Sequence, residues 1–91
     1  MPSAYTVEAR PAVRRALRQL DATARKDVLA AMRALADDPR PPGARPLKGH
    51  RQWLRVRLGD YRMIYAVDDT ARLVTVAVVG HRREVYRNLS L

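Results

Sequence analysis

Apolar and polar residues alternate most regularly in the segment WLRVRLGDYRMIY, residues 53–65. Two alternating runs separated by Gly59 and Asp60 predict two β-strands joined by a two-residue hairpin turn. This turn sets the register, and the facing pairs are Leu58 with Tyr61, Arg57 with Arg62, and Arg55 with Ile64. One face of the pair is then apolar and is expected to point into the core, with Leu54, Val56, Leu58, Tyr61, Met63 and Tyr65.

The opposite face of the predicted hairpin carries three arginines, Arg55, Arg57 and Arg62. Arg57 and Arg62 lie directly across from each other, and like charges in facing positions destabilise a strand pair. Such repulsion is tolerated where an anion binds between the guanidinium groups, since preorganised cations stabilise negative charge. This face is therefore the first candidate for a functional site.

Two helices are predicted before the hairpin, because apolar residues recur there at helical spacing. The first helix starts near Pro11, which suits a first turn because its missing N–H has no partner there. Its apolar positions are Val13, Ala16, Leu17 and Leu20. The second helix can be capped by Asp21 or Thr23 and ends at the DDP run, residues 37–39. Its apolar positions are Val28, Leu29, Met32 and Leu35.

The remaining segments are short strands, loops and a tail. A strand is predicted at residues 5–7, and a turn at residues 68–71. The run PRPPGARP, residues 39–46, holds four of the six prolines, so it is expected to be a loop that forms neither helix nor strand. The run LVTVAVV, residues 73–79, is typical of a central strand buried on both faces. A short polar tail follows it.

This order of elements predicts an α+β fold, in which an antiparallel sheet packs against an N-terminal helix pair. The first strand joins the sheet, and the helices cover one of its faces. A second polar cluster, at the end of the strand at residues 73–79, would share the open face with the hairpin arginines; its members are His81, Arg82, Arg83 and Tyr86. Residues 1–91 are expected to form a single domain.

The balance of charge indicates the kind of partner. The chain has 18 Lys and Arg against 9 Asp and Glu, and two of the 18 are lysines, which leaves 16 arginines. Arginine makes planar, two-pronged contacts with phosphate, so nucleic acid or an acidic protein is the expected partner. The chain lacks cysteine, a signal-peptide pattern and an apolar run of about 18 residues. A cytoplasmic protein without a membrane span is therefore expected.

Several other kinds of site are disfavoured by the residues. His50 and His81 are the only histidines, and neither has a carboxylate at ligand spacing, so no metal or other cofactor is expected. No serine lies in a turn of the nucleophile-elbow type. The four glycines do not cluster into a phosphate-binding loop.

Three stretches, YTVEARPAVRRALRQL, PPGARPLKGHRQWLRVRLGDYRMIYAVDD and VVGHRREVYRNL, resemble the RelE-type toxins of the RelE/ParE toxin–antitoxin superfamily. The resemblance spans residues 5–89 and is most specific in the hairpin and in GHRREVY. It implies a RelE-like microbial ribonuclease fold and metal-independent cleavage of messenger RNA in the ribosomal A site. The 2′-hydroxyl would attack the adjacent phosphate and leave a 2′,3′-cyclic phosphate and a 5′-hydroxyl.

The resemblance assigns catalytic roles to five residues, Arg55, Arg57, Arg62, Arg82 and Tyr86. Well-known members have lysines at the first two positions. Arginine stays protonated in proteins, so Arg55 and Arg57 can hold a phosphate but cannot act as bases. Arg62 and Arg82 would stabilise charge on the phosphate and on the leaving oxygen. Tyr86 would stack on a base or take the 2′-hydroxyl proton.

Four further residues are candidates for RNA contact, Lys48, Trp53, His81 and Arg83. Trp53 lies on the arginine face by alternation, where it could stack on a base or cover the sheet edge under the proline loop. His81 could act as a base, because histidine changes charge near neutral pH, or it could be structural. Lys48, beside the proline loop, is either solvated or in contact with ribosomal RNA.

The resemblance also implies partners. A cognate acidic antitoxin would cover the positive face and form a hetero-oligomer with the toxin, and the ribosome and messenger RNA would be the targets. Two alternatives remain open. One is a ParE-type inhibitor of DNA gyrase, which needs no Arg82–Tyr86 pair, and the other is a basic module that binds RNA or DNA without catalysis.

Overall fold

The computed structural model describes residues 4–86, which form two helices and five strands. In chain order the elements are β1 (Thr6–Ala9), α1 (Pro11–Gln19), α2 (Ala22–Ala34), β2 (Arg45–Leu47), β3 (His50–Leu58), β4 (Tyr61–Asp68) and β5 (Leu73–His81). The two predicted helices, the hairpin and the apolar strand at residues 73–79 are all present.

The five strands form one sheet in the order β1-β5-β4-β3-β2. Strands β2, β3, β4 and β5 pair in antiparallel fashion, and β1 joins the edge of β5 in parallel. The predicted α+β fold is therefore confirmed, with β5 directly beside the hairpin. The strand β5 carries buried side chains on both of its faces, as its nearly continuous apolar sequence indicates.

The hairpin of β3 and β4 has the register that its two-residue turn predicts. Leu58 pairs with Tyr61, Arg57 with Arg62, and Arg55 with Ile64. The turn closes at Gly59, whose φ of 63° lies in the left-handed region that favours glycine. Because side chains alternate along each strand, the three arginines of the hairpin share one face of the sheet.

The main core lies between the helices and the other face of the sheet. Its fully buried helix-side members are Val13, Val28 and Leu35, and its fully buried sheet members are Met63, Tyr65, Val74 and Val76. Burying one such side chain stabilises the fold by about 1.5–3 kcal/mol relative to leaving it exposed. The helix pair therefore fixes one face of the sheet and leaves the arginine face open.

The two helices are joined end to end by polar contacts. Pro11 begins α1, and the Asp21 side chain caps α2 by accepting the Ala24 N–H at 2.8 Å. From α2, Arg25 reaches back to the carbonyl end of α1, where Nε donates to the Leu17 oxygen at 2.9 Å and Nη2 to the Leu20 oxygen at 2.8 Å. The Leu17 oxygen also accepts the Leu20 N–H at 3.3 Å, so Arg25 adds a side-chain donor to the carbonyl end of α1 and acts as a C-terminal cap.

The proline-rich segment differs from the prediction at its end. Residues 39–46 were expected to form no strand, but Arg45 and Pro46 belong to β2. Proline is tolerated there because β2 lies at the sheet edge, where one side of the strand needs no hydrogen-bond partner. The start of the segment is fixed to the sheet by a hydrogen bond, because the hydroxyl of the buried Tyr65 donates to the Pro39 carbonyl oxygen at 2.8 Å.

Candidate active site

A cleft of about 390 Å³ opens on the arginine face of the sheet. Strands β3 and β4 supply three of its lining residues, and the segment after β5 supplies the other three. The lining consists of Arg55, Arg57, Arg62, Arg82, Arg83 and Tyr86. The structure thus brings together all five residues predicted to be catalytic, together with one of the four predicted to contact RNA.

Arg62 is the most enclosed cation of the cleft, with 7% of its surface exposed. Its Nη1 donates to the carbonyl oxygens of Gly59 and Tyr61, both at 2.9 Å, so the hairpin turn holds the guanidinium group in place. These two bonds use both Nη1 hydrogens, and a guanidinium group has five N–H donors in all. The rest of this fixed cation faces the cleft, where an anion could meet it without rearrangement of the side chain.

Tyr86 stands at the opposite side of the cleft, and 40% of its surface is exposed. Its phenol oxygen accepts a hydrogen bond from Arg55 Nη1 at 3.2 Å. Because the oxygen acts as the acceptor in this contact, its own proton is free for a second hydrogen bond. Tyr86 can therefore donate to a phosphate or sugar oxygen while Arg55 fixes the position of the ring.

The segment after β5 folds back over the open face of the sheet. The Arg82 N–H donates to the Asp60 carbonyl oxygen at 2.8 Å, which ties the segment to the hairpin turn. Val85 is buried and packs over Gly80, which pairs with Arg62 across β5 and β4. A Cβ at Gly80 would lie 3.7 Å from Val85, an ordinary contact distance, so Val85 sits directly against β5 at this position. This packing carries Arg82, Arg83 and Tyr86 to the cleft.

The cleft is strongly positive. Within residues 4–86, one ion pair is present, between Arg40 and Asp69 on the surface, with a distance of 3.0 Å between Nη2 and Oδ2. In the same range, no arginine of the cleft has a carboxylate partner. Hydrogen bonds from Arg40 lower the pKa of Asp69 to about 2. Five neighbouring guanidinium groups without a carboxylate partner among the described residues favour a polyanionic ligand.

Three of the residues predicted to contact RNA lie outside the cleft. Lys48 is exposed at the far end of β3. Trp53 is 8% exposed and belongs to a second apolar cluster with Leu47, Ile64, Ala77 and Val85. His81 pairs with Tyr61 and shares the helix-covered face with it. Trp53 is therefore buried among apolar side chains outside the cleft.

One partner of Trp53 has no signal in the sequence pattern. The Arg10 guanidinium lies over the indole ring, 5.2 Å from its centroid. Arg10 follows β1 and lies 43 positions before Trp53 in the chain, so only the folded sheet brings the two together. A cation over an aromatic face contributes about 0.5–1 kcal/mol at exposed sites and more when desolvated.

Neither a metal cluster nor a membrane helix is found in the described part of the chain. Among residues 4–86, no group of three or more His, Cys, Asp or Glu side chains is placed to hold a metal ion. No helix in the same range is long and apolar enough to cross a membrane. The cleft is lined by arginine and tyrosine, side chains that bind anions.

Comparison with known proteins places the chain within a family. Residues 4–86 match the model of the ParE toxin of the type II toxin–antitoxin system parDE. The chain belongs to the ParE toxin family. Its fold is also similar to that of RelE toxins, which makes it a RelE-type toxin of the RelE/ParE superfamily. None of the curated proteins compared with the chain matches it.

Three solved RelE structures illustrate the similarity. The archaeal RelE–RelB complex from Pyrococcus horikoshii OT3 has a TM-score of 0.79 and 26% identity, covering 90% of this chain and 99% of that one. The RelBE2 toxin–antitoxin complex from Mycobacterium tuberculosis has a TM-score of 0.76 and 28% identity, covering 90% and 95%. The isolated E. coli RelE toxin has a TM-score of 0.73 and 25% identity, covering 86% and 84%.

Proposed function

We propose that this RelE/ParE toxin is a ribosome-dependent endoribonuclease that cleaves messenger RNA in the A site. The observation that carries the proposal is the cleft itself, in which five arginines and Tyr86 surround a space of about 390 Å³. No carboxylate within residues 4–86 neutralises these arginines. A phosphodiester would supply the missing negative charge.

The proposed reaction needs no group beyond the RNA, solvent water and these side chains. The 2′-oxygen bonds to phosphorus as its proton passes to water, and the bond from phosphorus to the 5′-oxygen breaks as water supplies a proton to that oxygen. The 5′-oxygen takes up a proton, so the products are a 2′,3′-cyclic phosphate and a 5′-hydroxyl. Negative charge grows on the phosphate and on the leaving oxygen, where fixed cations lower the barrier most effectively.

The cleft residues divide these tasks by position. Arg62, held by the turn carbonyls, is the fixed cation for the phosphate, and Arg55 and Arg57 extend the positive surface along β3. Arg82 stabilises the leaving oxygen. Tyr86, held by Arg55, donates to a substrate oxygen or stacks on a base.

The proposed partner in the cell is an acidic antitoxin. Two of the similar structures are complexes of RelE-type toxins with their antitoxins. In this chain a formal charge of +9 and a cleft free of carboxylates within residues 4–86 favour an acidic segment that covers the arginines. Such a segment would compete with RNA for the same cations.

Primer extension on messenger RNA programmed into 70S ribosomes tests the proposal. Wild-type protein should produce a stop inside the A-site codon, and Arg82→Ala should not. This substitution keeps the backbone N–H that bonds to Asp60, so it removes the side chain alone. Arg33→Ala, on the exposed surface of α2, is the matched control and should cleave like wild type.

Gyrase inhibition is the second candidate, because the matching family model is that of the ParE toxin. The same protein preparation would be added to a supercoiling assay with purified gyrase. Ribosome-dependent cleavage without an effect on supercoiling supports the nuclease. Loss of supercoiling activity together with intact messenger RNA would replace the nuclease by the gyrase inhibitor.

A further inference from the structure

Every backbone N–H group from Arg82 to Val85 has a partner, and two residues supply all of them. The Arg82 N–H donates to the Asp60 carbonyl oxygen at 2.8 Å. The Glu84 and Val85 N–H groups both donate to the His81 carbonyl oxygen, at 2.8 Å and 2.9 Å. The remaining Arg83 N–H has no carbonyl partner and donates instead to the His81 ring at Nδ1, at 3.2 Å.

The His81 ring is oriented for this contact by its neighbour in the sheet. It meets the Tyr61 ring edge to face, with centroids 5.9 Å apart and an angle of 81° between the planes. Nδ1 accepts a hydrogen bond, so the proton of the neutral ring lies on Nε2. In this arrangement Nδ1 is occupied and Nε2 is a donor, and neither nitrogen is free to act as a base toward RNA.

We propose that His81 is a positioning residue, which sets the turn that presents Arg82, Arg83 and Tyr86 to the cleft. The inference rests on the proposed nuclease function for its catalytic consequence. A side-chain acceptor that binds the N–H two positions later is the arrangement that Asn and Asp use in Asx turns. At residue 81 a histidine ring performs the same task and is held by Tyr61.

Two substitutions at residue 81 distinguish the contribution of the aromatic ring from that of the hydrogen-bond acceptor. His81→Phe keeps an aromatic ring against Tyr61 but cannot accept the Arg83 N–H. His81→Asn loses the ring but places an oxygen where Nδ1 stands, one bond beyond Cγ. His50→Phe is the matched control, because His50 is the other histidine of the chain and is exposed at the start of β3.

Three measurements on the full chain test the inference. The first is hydrogen exchange of the Arg83 amide by NMR, and the second is the cleavage rate constant on programmed 70S ribosomes. The third is the dissociation constant of the protein for 70S ribosomes whose message carries 2′-deoxy nucleotides in the A-site codon. This message cannot be cut, because it lacks the attacking 2′-hydroxyl. Thermal unfolding of each variant shows whether it remains folded.

We expect His81→Phe to lose Arg83 exchange protection and to cleave more slowly by about tenfold or more, since small displacements of catalytic groups have large effects. His81→Asn should recover the protection and most of the rate, and His50→Phe should match wild type. A His81→Phe variant with the wild-type cleavage rate constant and the wild-type exchange rate of the Arg83 amide would overturn the inference. So would a His81→Asn variant that cleaves as slowly as His81→Phe.

The proposed function and the positioning role can fail separately in this design. A wild-type protein that cleaves no message overturns the nuclease. Arg83 exchange and the dissociation constant for the 2′-deoxy message then still decide whether His81 orders the cleft. If both values are unchanged in His81→Phe, the positioning role is overturned. Loss of Arg83 exchange protection together with weaker binding of the 2′-deoxy message supports it.

Discussion

The Tyr86 phenol oxygen accepts a hydrogen bond from Arg55 at 3.2 Å, although 31 positions separate the two residues in the chain. Arg55 belongs to β3, whereas Tyr86 belongs to the segment that folds back after β5. The bond therefore closes the cleft across two elements that do not pair in the sheet.

Tyr86→Phe should lower the cleavage rate constant without unfolding the protein. The variant keeps the ring for stacking but loses the hydroxyl that Arg55 holds, so a decrease of about 10²-fold is expected if that hydroxyl acts on the substrate. Single-turnover cleavage of programmed ribosomes measures the effect. The double variant with Arg55→Ala should be less than additive, and strict additivity would show that the two side chains act independently.

Arg82→Ala should abolish growth arrest in cells and leave stability nearly unchanged. The side chain is exposed and its backbone contact to Asp60 survives the substitution, so the free energy of unfolding should change by no more than about 0.5 kcal/mol. Growth after induction and urea unfolding are the two measurements. Antitoxin binding should be retained, and toxicity equal to wild type would remove Arg82 from the catalytic set.

Arg62→Ala should differ from Arg82→Ala in its effect on stability. It removes a buried cation that binds the Gly59 and Tyr61 carbonyls, so the free energy of unfolding should fall by about 1–3 kcal/mol along with activity. Urea unfolding of both variants makes the comparison. Equal stability of the two would show that the turn does not depend on Arg62.

Arg25→Ala should destabilise the helix pair. It leaves the last carbonyls of α1 without their cap, and a loss of about 1–3 kcal/mol is expected for such charge-assisted bonds. Arg33→Ala, in the last turn of α2, is the control with the same change of residue type. A similar unfolding midpoint for both variants would contradict the capping role.

Tyr65→Phe should change how stability depends on alkaline pH. Burial raises the pKa of Tyr65 from the ordinary tyrosine value near 10 to about 12, so the folded state favours the neutral hydroxyl. In the unfolded chain Tyr65 ionises at lower pH. The contribution of this group to the free energy of unfolding is therefore fully present below pH 10 and is lost as pH rises toward about 12. The variant lacks this group and should show a shallower decline.

Urea unfolding at several pH values checks the alkaline prediction. Near neutral pH the variant should be less stable by about 0.5–1.5 kcal/mol, because the bond to the Pro39 carbonyl is lost. The difference in the free energy of unfolding between wild type and variant should then become smaller above pH 10. A gap that stays constant through pH 11.5 would show that Tyr65 ionises alike in the folded and unfolded states.

The hairpin is predictable from sequence because a two-residue turn at a glycine fixes the register over short range. The same local rules place Pro11 and Asp21 at the helix starts. The strand at Pro46 is not predictable in this way, because its tolerance depends on lying at the sheet edge. The burial of Trp53 and the turn at His81 likewise depend on contacts between distant segments.

The arginine-rich lining also determines how the cleft behaves in an ionic solution. Fixed cations with no carboxylate partner within residues 4–86 gather an atmosphere of small anions. When a polyanion docks, those ions and the cations condensed on the nucleic acid return to the bulk, and their gain in translational entropy drives association. The affinity should fall linearly on a logarithmic scale as salt is added. The dissolved salt is thus a competitor for the same surface.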